Sequence, residues 1–136
     1  ECDFPMDYDN YAAKKTMAGS AGMMVMDEDT DIVKVALRTM RFYAHESCGW
    51  CIPCREGTTW LRKMLTRIDE GAGRRADIDL VHELSKNMLG RTFCPLGDAA
   101  AMPTIAFVEK FRDEFEARLR ETAVPVTSPD QLIALG

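Results

Sequence analysis

The cysteines constrain the fold of this chain more than any other feature of its sequence. Three of them stand within seven residues and a fourth follows forty positions later; in chain order they are Cys48, Cys51, Cys54 and Cys94. The fifth, Cys2, stands apart. An odd number excludes complete internal disulfide pairing, and a chain of 136 residues can build a core without disulfides. The grouping of three plus one is typical of metal ligation, with Cys2 left over as a free thiol.

Apolar residues recur at helical spacing on both sides of each cysteine segment. We predict four amphipathic helices, at about residues 30–45, 55–70, 77–89 and 98–119. Asp29 or Thr30 is the expected cap of the first helix, and Asp98, just after Gly97, is the expected acidic cap of the fourth. Pro103 falls early in the fourth, so we expect either a first-turn placement or a kink there. Short connections predict an up-down-up-down four-helix bundle, which places the three-cysteine segment and Cys94 in loops at the same end.

The two ends of the chain lack this helical pattern. Residues 1–28 are predicted to be irregular, with one short strand at Met23–Met26 that belongs to a sheet upstream of Glu1. Residues 121–136 are predicted to form an extended tail. Because the chain begins at Glu1, we expect it to be a piece of a longer protein. The predicted fold is mainly α: a four-helix domain at 29–120, preceded by a short irregular segment with one strand from an upstream domain.

The cysteine spacing favours one [4Fe–4S] cluster. A C-x2-C-x2-C segment can wrap one face of a cubane, and a remote fourth cysteine closes the last iron. Gly49 allows the loop to bend tightly, Pro53 fixes the turn into the second helix, and Arg55 places a positive charge beside the ligands. A structural zinc site also uses four cysteines, but zinc prefers two separated C-x2-C pairs, and only one side has that form here. Disulfides or free thiols are a third interpretation.

Charge and hydropathy exclude other classes of function. The net charge of −5 argues against nucleic acid as the main partner, because phosphate binding needs clustered Lys and Arg. The longest uncharged runs, residues 16–26 and 99–108, are too short for a membrane-spanning helix.

Two strings around the cysteines are highly specific. Residues 45–57 contain E-S-C-G-x-C-x-P-C-R, and residues 92–100 contain F-C-x-L-G-D. With residues 19–28 and 111–116, they resemble the flavin-carrying, NADH-binding subunit of respiratory complex I, which is the F subunit in bacteria and the 51 kDa subunit in mitochondria. The resemblance covers most of residues 1–119.

This resemblance implies an electron-transfer role within an NADH:quinone oxidoreductase. It implies a single [4Fe–4S] cluster that takes electrons from FMN reduced by NADH, with the ligands Cys48, Cys51, Cys54 and Cys94. FMN and NADH would be bound upstream, because no G-x-G-x-x-G loop occurs in this chain. Residues 1–28 would be the last strand of a β-grasp region of the soluble-ligand-binding (SLBB) type, or the linker from it to the bundle. No side chain here is expected to act as an acid, a base or a nucleophile.

The resemblance also implies partners and a location. The expected partners are the upstream flavin domain, a thioredoxin-like 2Fe–2S subunit and a large multi-cluster subunit, with no nucleic acid and no membrane span. The expected location is peripheral, on the cytoplasmic face of the bacterial inner membrane or on the matrix side in mitochondria. The same module occurs in NAD-linked hydrogenases and formate dehydrogenases, and the quoted residues do not separate these relatives. The alternative belongs to another class of function: a helical interaction module that is stapled by zinc and has no redox role.

Three further residues have two interpretations each. Trp50 either shields the cluster from water or anchors its loop on the bundle. His45 is expected to cap the end of the first helix, in preference to ligating metal. His82 is expected at the surface or at the edge of the core.

Overall fold

The computed structural model describes residues 3–14 and 16–119, which form six helices. Four long helices make an antiparallel bundle and two short helices flank it. In chain order they are α1 (Tyr8–Ala13), α2 (Ile32–Glu46), α3 (Ile52–Asp69), α4 (Arg75–Met88), α5 (Leu96–Lys110) and α6 (Arg112–Ala117). The predicted mainly α, four-helix architecture is confirmed.

The long helices form a closed ring of neighbours. Helix α2 packs on α3 and α5, α4 packs on the same two helices, and α3 and α5 also touch across the ring. The apolar stripes meet in one core, whose larger fully buried side chains are Phe115, Met40, Leu61, Leu65, Ile68, Ile78 and Met88. None of the helices in the described residues is long and apolar enough to cross a membrane.

The helix starts lie close to the predicted positions, with small corrections. Asp31 caps α2 and accepts a hydrogen bond from the Lys34 N–H at 3.1 Å, so neither Asp29 nor Thr30 is the cap. Helix α3 begins before Pro53, which occupies its first turn. A proline fits there because the first N–H groups of a helix have no partner within it.

The predicted fourth helix is two helices in the structure. Phe111 ends α5 and begins α6 with φ −126° and ψ 31°, outside the helical region. Pro103 lies two turns inside α5, so a first-turn placement is wrong. Because proline has no N–H, the Ala99 carbonyl lacks the helical hydrogen bond that residue 103 would otherwise donate.

The N-terminal segment differs from the prediction. Residues 23–26 form no strand, and their side chains are exposed. The physical reason is that a strand needs a partner, and residues 3–14 and 16–119 contain no other strand. Helix α1 was not predicted; Asp7 caps it by accepting from the Asn10 N–H at 2.8 Å. The predicted tail at 121–136, and Cys2, lie outside the described residues.

Candidate metal centre

The two cysteine-bearing loops lie at the same end of the bundle. The first connects α2 to α3 and the second connects α4 to α5. Gly57, near the start of α3, lies against Met88 at the end of α4: a Cβ added to the glycine would be 2.6 Å from the Met88 Sδ. The start of α3 and the end of α4 are therefore in direct contact, as the predicted topology requires.

An aromatic contact joins the two loops. The rings of Trp50 and Phe93 meet edge to face, with their centroids 6.5 Å apart and an interplanar angle of 81°. Trp50 precedes Cys51 in one loop and Phe93 precedes Cys94 in the other. Both aromatic side chains are largely exposed, at 77% and 85%. Trp50 therefore contacts the opposite loop and faces solvent.

The four predicted ligands are thiols in the two loops and in the first turn of α3, all at one end of the bundle. All four are free, and they run from buried to exposed: Cys54 is 5% exposed, Cys51 is partly buried, and Cys48 and Cys94 are exposed. Burial raises the pKa of the Cys54 thiol, a hydrogen bond with Ser47 lowers it, and negative charge on the other three cysteines raises it further.

Ser47, which the sequence did not single out, holds the first loop together with Gly49 and Arg55. The Ser47 Oγ lies 3.3 Å from the Cys54 Sγ and accepts a hydrogen bond from the Gly49 N–H at 3.3 Å. Gly49 has φ +77°, the left-handed conformation that glycine adopts without strain, as the predicted tight bend requires. Arg55 donates from Nη1 to the Gly49 carbonyl at 3.1 Å, so it fixes the loop backbone. The position of Ser47 next to Cys48 was the only signal for it in the sequence.

The second loop is held by its own contacts. Thr92 donates from Oγ1 to the Cys94 carbonyl at 2.8 Å, and its methyl group lies 2.4 Å from where a Cβ on Gly97 would stand. Asp98 was expected near the helix start as an acidic cap. It instead accepts from the Gly90 N–H at 2.7 Å, which ties the end of α4 to the start of α5.

The histidines lie in carboxylate contacts. The His45 Nδ1 is 3.0 Å from the Glu46 Oε1 in the last turn of α2, where a cap was expected. The His82 Nε2 is 3.0 Å from the Glu109 Oε1, which links α4 to α5 at the partly exposed edge of the core.

The donor set fits a cubane cluster. Within the described residues, no group of three or more His, Cys, Asp or Glu side chains is arranged to hold a single metal ion. In a [4Fe–4S] cluster each thiolate binds a different iron, so the ligands spread more widely than those of one ion. Four free thiols around one end of the bundle, one buried and two exposed, are the ligands that such a cluster requires.

Comparison with known proteins gives one family and several relatives. Residues 34–118 match the family described as the NADH-ubiquinone oxidoreductase-F iron-sulfur binding region. An NADH-quinone oxidoreductase F subunit of Rhizobium meliloti is 46% identical over 125 residues, which cover 92% of this chain and 30% of that protein. The mitochondrial NADH-ubiquinone oxidoreductase 51 kDa subunit of Neurospora crassa is 43% identical over 118 residues, which cover 87% of this chain and 24% of that protein.

A solved structure is also similar. An NAD+-reducing [NiFe]-hydrogenase in the H2-reduced state superposes with a TM-score of 0.68 and 34% sequence identity, covering 82% of this chain and 19% of that one. The chain spans less than a third of the length of the curated relatives that it matches.

Proposed function

Because the chain belongs to the family of NADH-ubiquinone oxidoreductase-F iron-sulfur binding regions, we propose that it binds one [4Fe–4S] cluster and carries electrons through it. The proposed ligands are the four thiols at one end of the bundle, Cys48, Cys51, Cys54 and Cys94. The observation that carries the proposal is that the two loops holding these free thiols lie at the same end of the bundle and touch through Trp50 and Phe93. When bound, the cluster supplies the acceptance and release of single electrons.

The ligands give the site a buried side and an exposed side. Cys54 lies in the first turn of α3 against the core, which excludes water from its sulfur. Cys48 and Cys94 stand at the surface. This gradient suits electron transfer, since the core side stabilises ligation and the exposed side allows a partner to approach. Ligation, hydrogen bonding and burial are then the means by which the chain sets the reduction potential.

The electrons would come from FMN reduced by NADH in an upstream part of the same subunit. They would leave for neighbouring iron–sulfur subunits, one thioredoxin-like with a 2Fe–2S cluster and one large and multi-cluster. The names of the relatives support this role as part of an NADH:quinone oxidoreductase. The proposed location is peripheral, on the cytoplasmic face of a bacterial inner membrane or on the mitochondrial matrix side. Fractionation of membranes, with and without a high-salt wash, tests the peripheral attachment.

A second parent complex is favoured by the structural comparison. The NAD+-reducing hydrogenase shares 34% identity with this chain over the superposed region, so the module could serve such an enzyme instead. Assays of the purified parent complex decide between the two. Quinone reduction by NADH supports the first parent, whereas hydrogen-dependent reduction of NAD+ supports the second.

Residues 1–28 form a separate proposal. We propose that they link an upstream β-grasp region to the four-helix domain at 29–120, with residues 23–26 pairing to strands of that region. This apolar run is exposed, and Val25 is 95% exposed, which supports pairing with a strand outside the described residues. Hydrogen exchange in the full-length subunit tests the pairing: protected amides at 23–26 support it, and fast exchange there contradicts it.

Metal analysis tests the cluster itself. Anaerobically purified parent subunit should contain about four irons and four acid-labile sulfides beyond those of its other centres. Stoichiometric zinc without iron or sulfide would show a zinc-stapled module instead. Reversible one-electron reduction, followed by electron paramagnetic resonance (EPR), separates a redox role from a purely structural one.

Substitution of single cysteines tests the ligand assignment. Cys94→Ala should remove the cluster or convert it to a form with fewer irons, because one iron loses its thiolate. Cys2→Ala is the matched control and should leave the iron content unchanged. Equal loss from both variants would show that the assignment is wrong.

A further inference from the structure

The Ser47 hydroxyl is held directly against the buried cysteine. Its Oγ lies 3.3 Å from the Cys54 Sγ, although the two residues are seven positions apart. Ser47 ends α2, and its backbone N–H donates to the Tyr43 carbonyl at 3.1 Å. The last turn of α2 therefore fixes the position from which this hydroxyl reaches the first turn of α3.

The hydrogen-bond direction follows from the neighbouring groups. The Gly49 N–H donates to the Ser47 Oγ at 3.3 Å and occupies one of its acceptor positions. A cysteine that binds iron is a thiolate and carries no proton. With Cys54 ligated, its sulfur can only accept, so the hydroxyl of Ser47 must be the donor.

Contacts within the loop restrain the Ser47 hydroxyl near the Cys54 sulfur. Gly49 is in the left-handed conformation, at φ +77°, which turns its N–H back toward Ser47. Its carbonyl accepts from the Arg55 Nη1 at 3.1 Å, and the Arg55 Nε is held by the Glu56 Oε1 at 2.8 Å. Arg55, on α3, thus fixes the backbone of Gly49, and the Gly49 N–H in turn orients the Ser47 hydroxyl.

A hydrogen bond from Ser47 to the Cys54 sulfur stabilises negative charge on that sulfur. Cys54 is the buried member of the four, so water does not compete for its sulfur as it does at the exposed cysteines. Reduction adds one negative charge to a cluster, and hydrogen bonds to its sulfurs stabilise the more negative state.

We propose that Ser47 is a positioning residue that acts through Cys54 and raises the reduction potential of the cluster by donating a hydrogen bond to the cysteine sulfur. The proposal rests on the cluster and the ligands assigned above. It adds that one hydroxyl outside the ligand set determines how readily the cluster accepts an electron.

Redox titration of the intact parent complex, followed by EPR, tests the proposal. Ser47→Ala should lower the equilibrium constant for reduction by about threefold to tenfold, or about 30 to 60 mV for one electron. Ser47→Thr keeps the hydroxyl and should retain the wild-type potential. Thr59→Val is the matched control, because the Thr59 Oγ1 donates to the Arg55 carbonyl at 2.9 Å and does not touch sulfur; its potential should not move.

A second measurement needs no substitution. Pulsed EPR of the reduced wild-type complex in H2O and D2O should detect an exchangeable proton coupled to the cluster, and Ser47→Thr should retain it. An unchanged potential in Ser47→Ala, with iron and sulfide intact, would overturn the role of Ser47 and leave the cluster assignment standing. If Ser47→Ala loses its iron, the proton measurement decides. No exchangeable proton in the wild type would overturn the role of Ser47. An exchangeable proton in both the wild type and Ser47→Thr would support that role. Absence of iron and sulfide from the wild type would instead overturn the proposed function.

Discussion

Among single residues outside the metal centre, Asp77 has a distinctive environment. Its carboxylate is 4% exposed, and it accepts from the Arg67 Nη2 at 2.5 Å, the Arg74 Nη2 at 3.0 Å and the Arg74 N–H at 2.8 Å. It therefore caps α4 and joins it to the end of α3. Burial by itself raises the pKa of Asp77, but the hydrogen bonds from Arg74 and the charge of Arg67 bring it below its usual range.

Asp77→Asn should destabilise the bundle by about 1.5–3 kcal/mol, the range for a hydrogen bond to a charged group. Asp79→Asn is the matched control, because the Asp79 side chain is 62% exposed and pairs with Arg112 at the surface, where an ion pair contributes about 1 kcal/mol or less. Urea unfolding at neutral pH measures both. Equal losses from the two variants would contradict the role given to Asp77.

The same carboxylate predicts a pH dependence. An aspartate in the unfolded chain has a pKa of about 3.9, and the folded pKa of Asp77 is lowered, so its contribution is complete well above pH 4 and is lost as the pH falls through the folded value. The stability difference between the wild type and Asp77→Asn should therefore be constant near neutral pH. It should shrink below about pH 4, as denaturant unfolding at a series of pH values would show.

The sequence identifies residues whose chemistry is local, but not residues whose role depends on the folded loops. The cysteines were found because their spacing is itself the signal for ligation. Ser47 and Phe93 were not singled out, since their contacts arise only when the loops bend toward the ligands and toward each other. Asp98 was expected to be a cap because it lies near a helix start, whereas its carboxylate reaches the Gly90 N–H across the loop.

At the level of elements, the loop between α4 and α5 is packed without spare room. Gly97 lies in the first turn of α5, and its position leaves no space for a Cβ beside Thr92. Thr92 in turn holds the Cys94 carbonyl. Any side chain at position 97 therefore displaces the residue that shapes the backbone of the fourth ligand.

Gly97→Ala should cost about 1–3 kcal/mol of stability, as overpacking usually does, and should lower the iron content by displacing Cys94. Gly22→Ala is the matched control, since a Cβ there would meet only the Ser20 Oγ at 4.0 Å. Thermal unfolding and iron analysis of the two purified variants make the comparison. Full iron occupancy and unchanged stability in Gly97→Ala would mean that the loop tolerates the added methyl group.

Helical periodicity predicts the long elements but not where they break. The four bundle helices were recovered because each has an apolar stripe that faces the core. The break at Phe111 was missed because apolar residues continue at helical spacing from Val108 through Phe111 to Phe115. Only Val108 and Phe115 are buried, while Phe111 is 36% exposed at the break. Residues 23–26 form no strand in the described chain because apolar composition does not supply a pairing partner.

At the level of the whole molecule, the bundle has two different ends. One end holds the thiols, and the other is closed by charges around Arg118. This arginine pairs with Asp31 at the start of α2 and lies 3.7 Å from the Asp69 Oδ1 at the end of α3. The Asp69 Oδ1 is buried, and no hydrogen-bond donor reaches it in the described part of the chain, so the charge of Arg118 is its compensation. A helix of fifteen residues separates the two ends by about 22 Å.

Arg118→Ala should destabilise the bundle by about 1.5–3 kcal/mol, because two partly buried carboxylates lose their shared cation. The reduction potential should stay at the wild-type value, since the change lies at the opposite end. Arg75→Ala is the matched control: Arg75 is 73% exposed and pairs with Glu116 at 2.9 Å, a type of contact that contributes about 1 kcal/mol or less. Urea unfolding and redox titration of both variants would separate stability from potential, and a shifted potential in Arg118→Ala would contradict the independence of the two ends.

The distribution of the ligands over two loops has a thermodynamic consequence. A cofactor bonded to both Cys54 and Cys94 would join the ends of a forty-residue segment that includes all of α4. Closing a ring of that size in an unfolded chain costs about 3–4 kcal/mol of conformational entropy. Folding of the bundle already brings Cys54 and Cys94 to the same end. Insertion of the cofactor into the folded bundle therefore costs no further loop-closure entropy. Cofactor affinity and fold stability are therefore linked: a substitution that loosens the helices should also weaken retention of the metal.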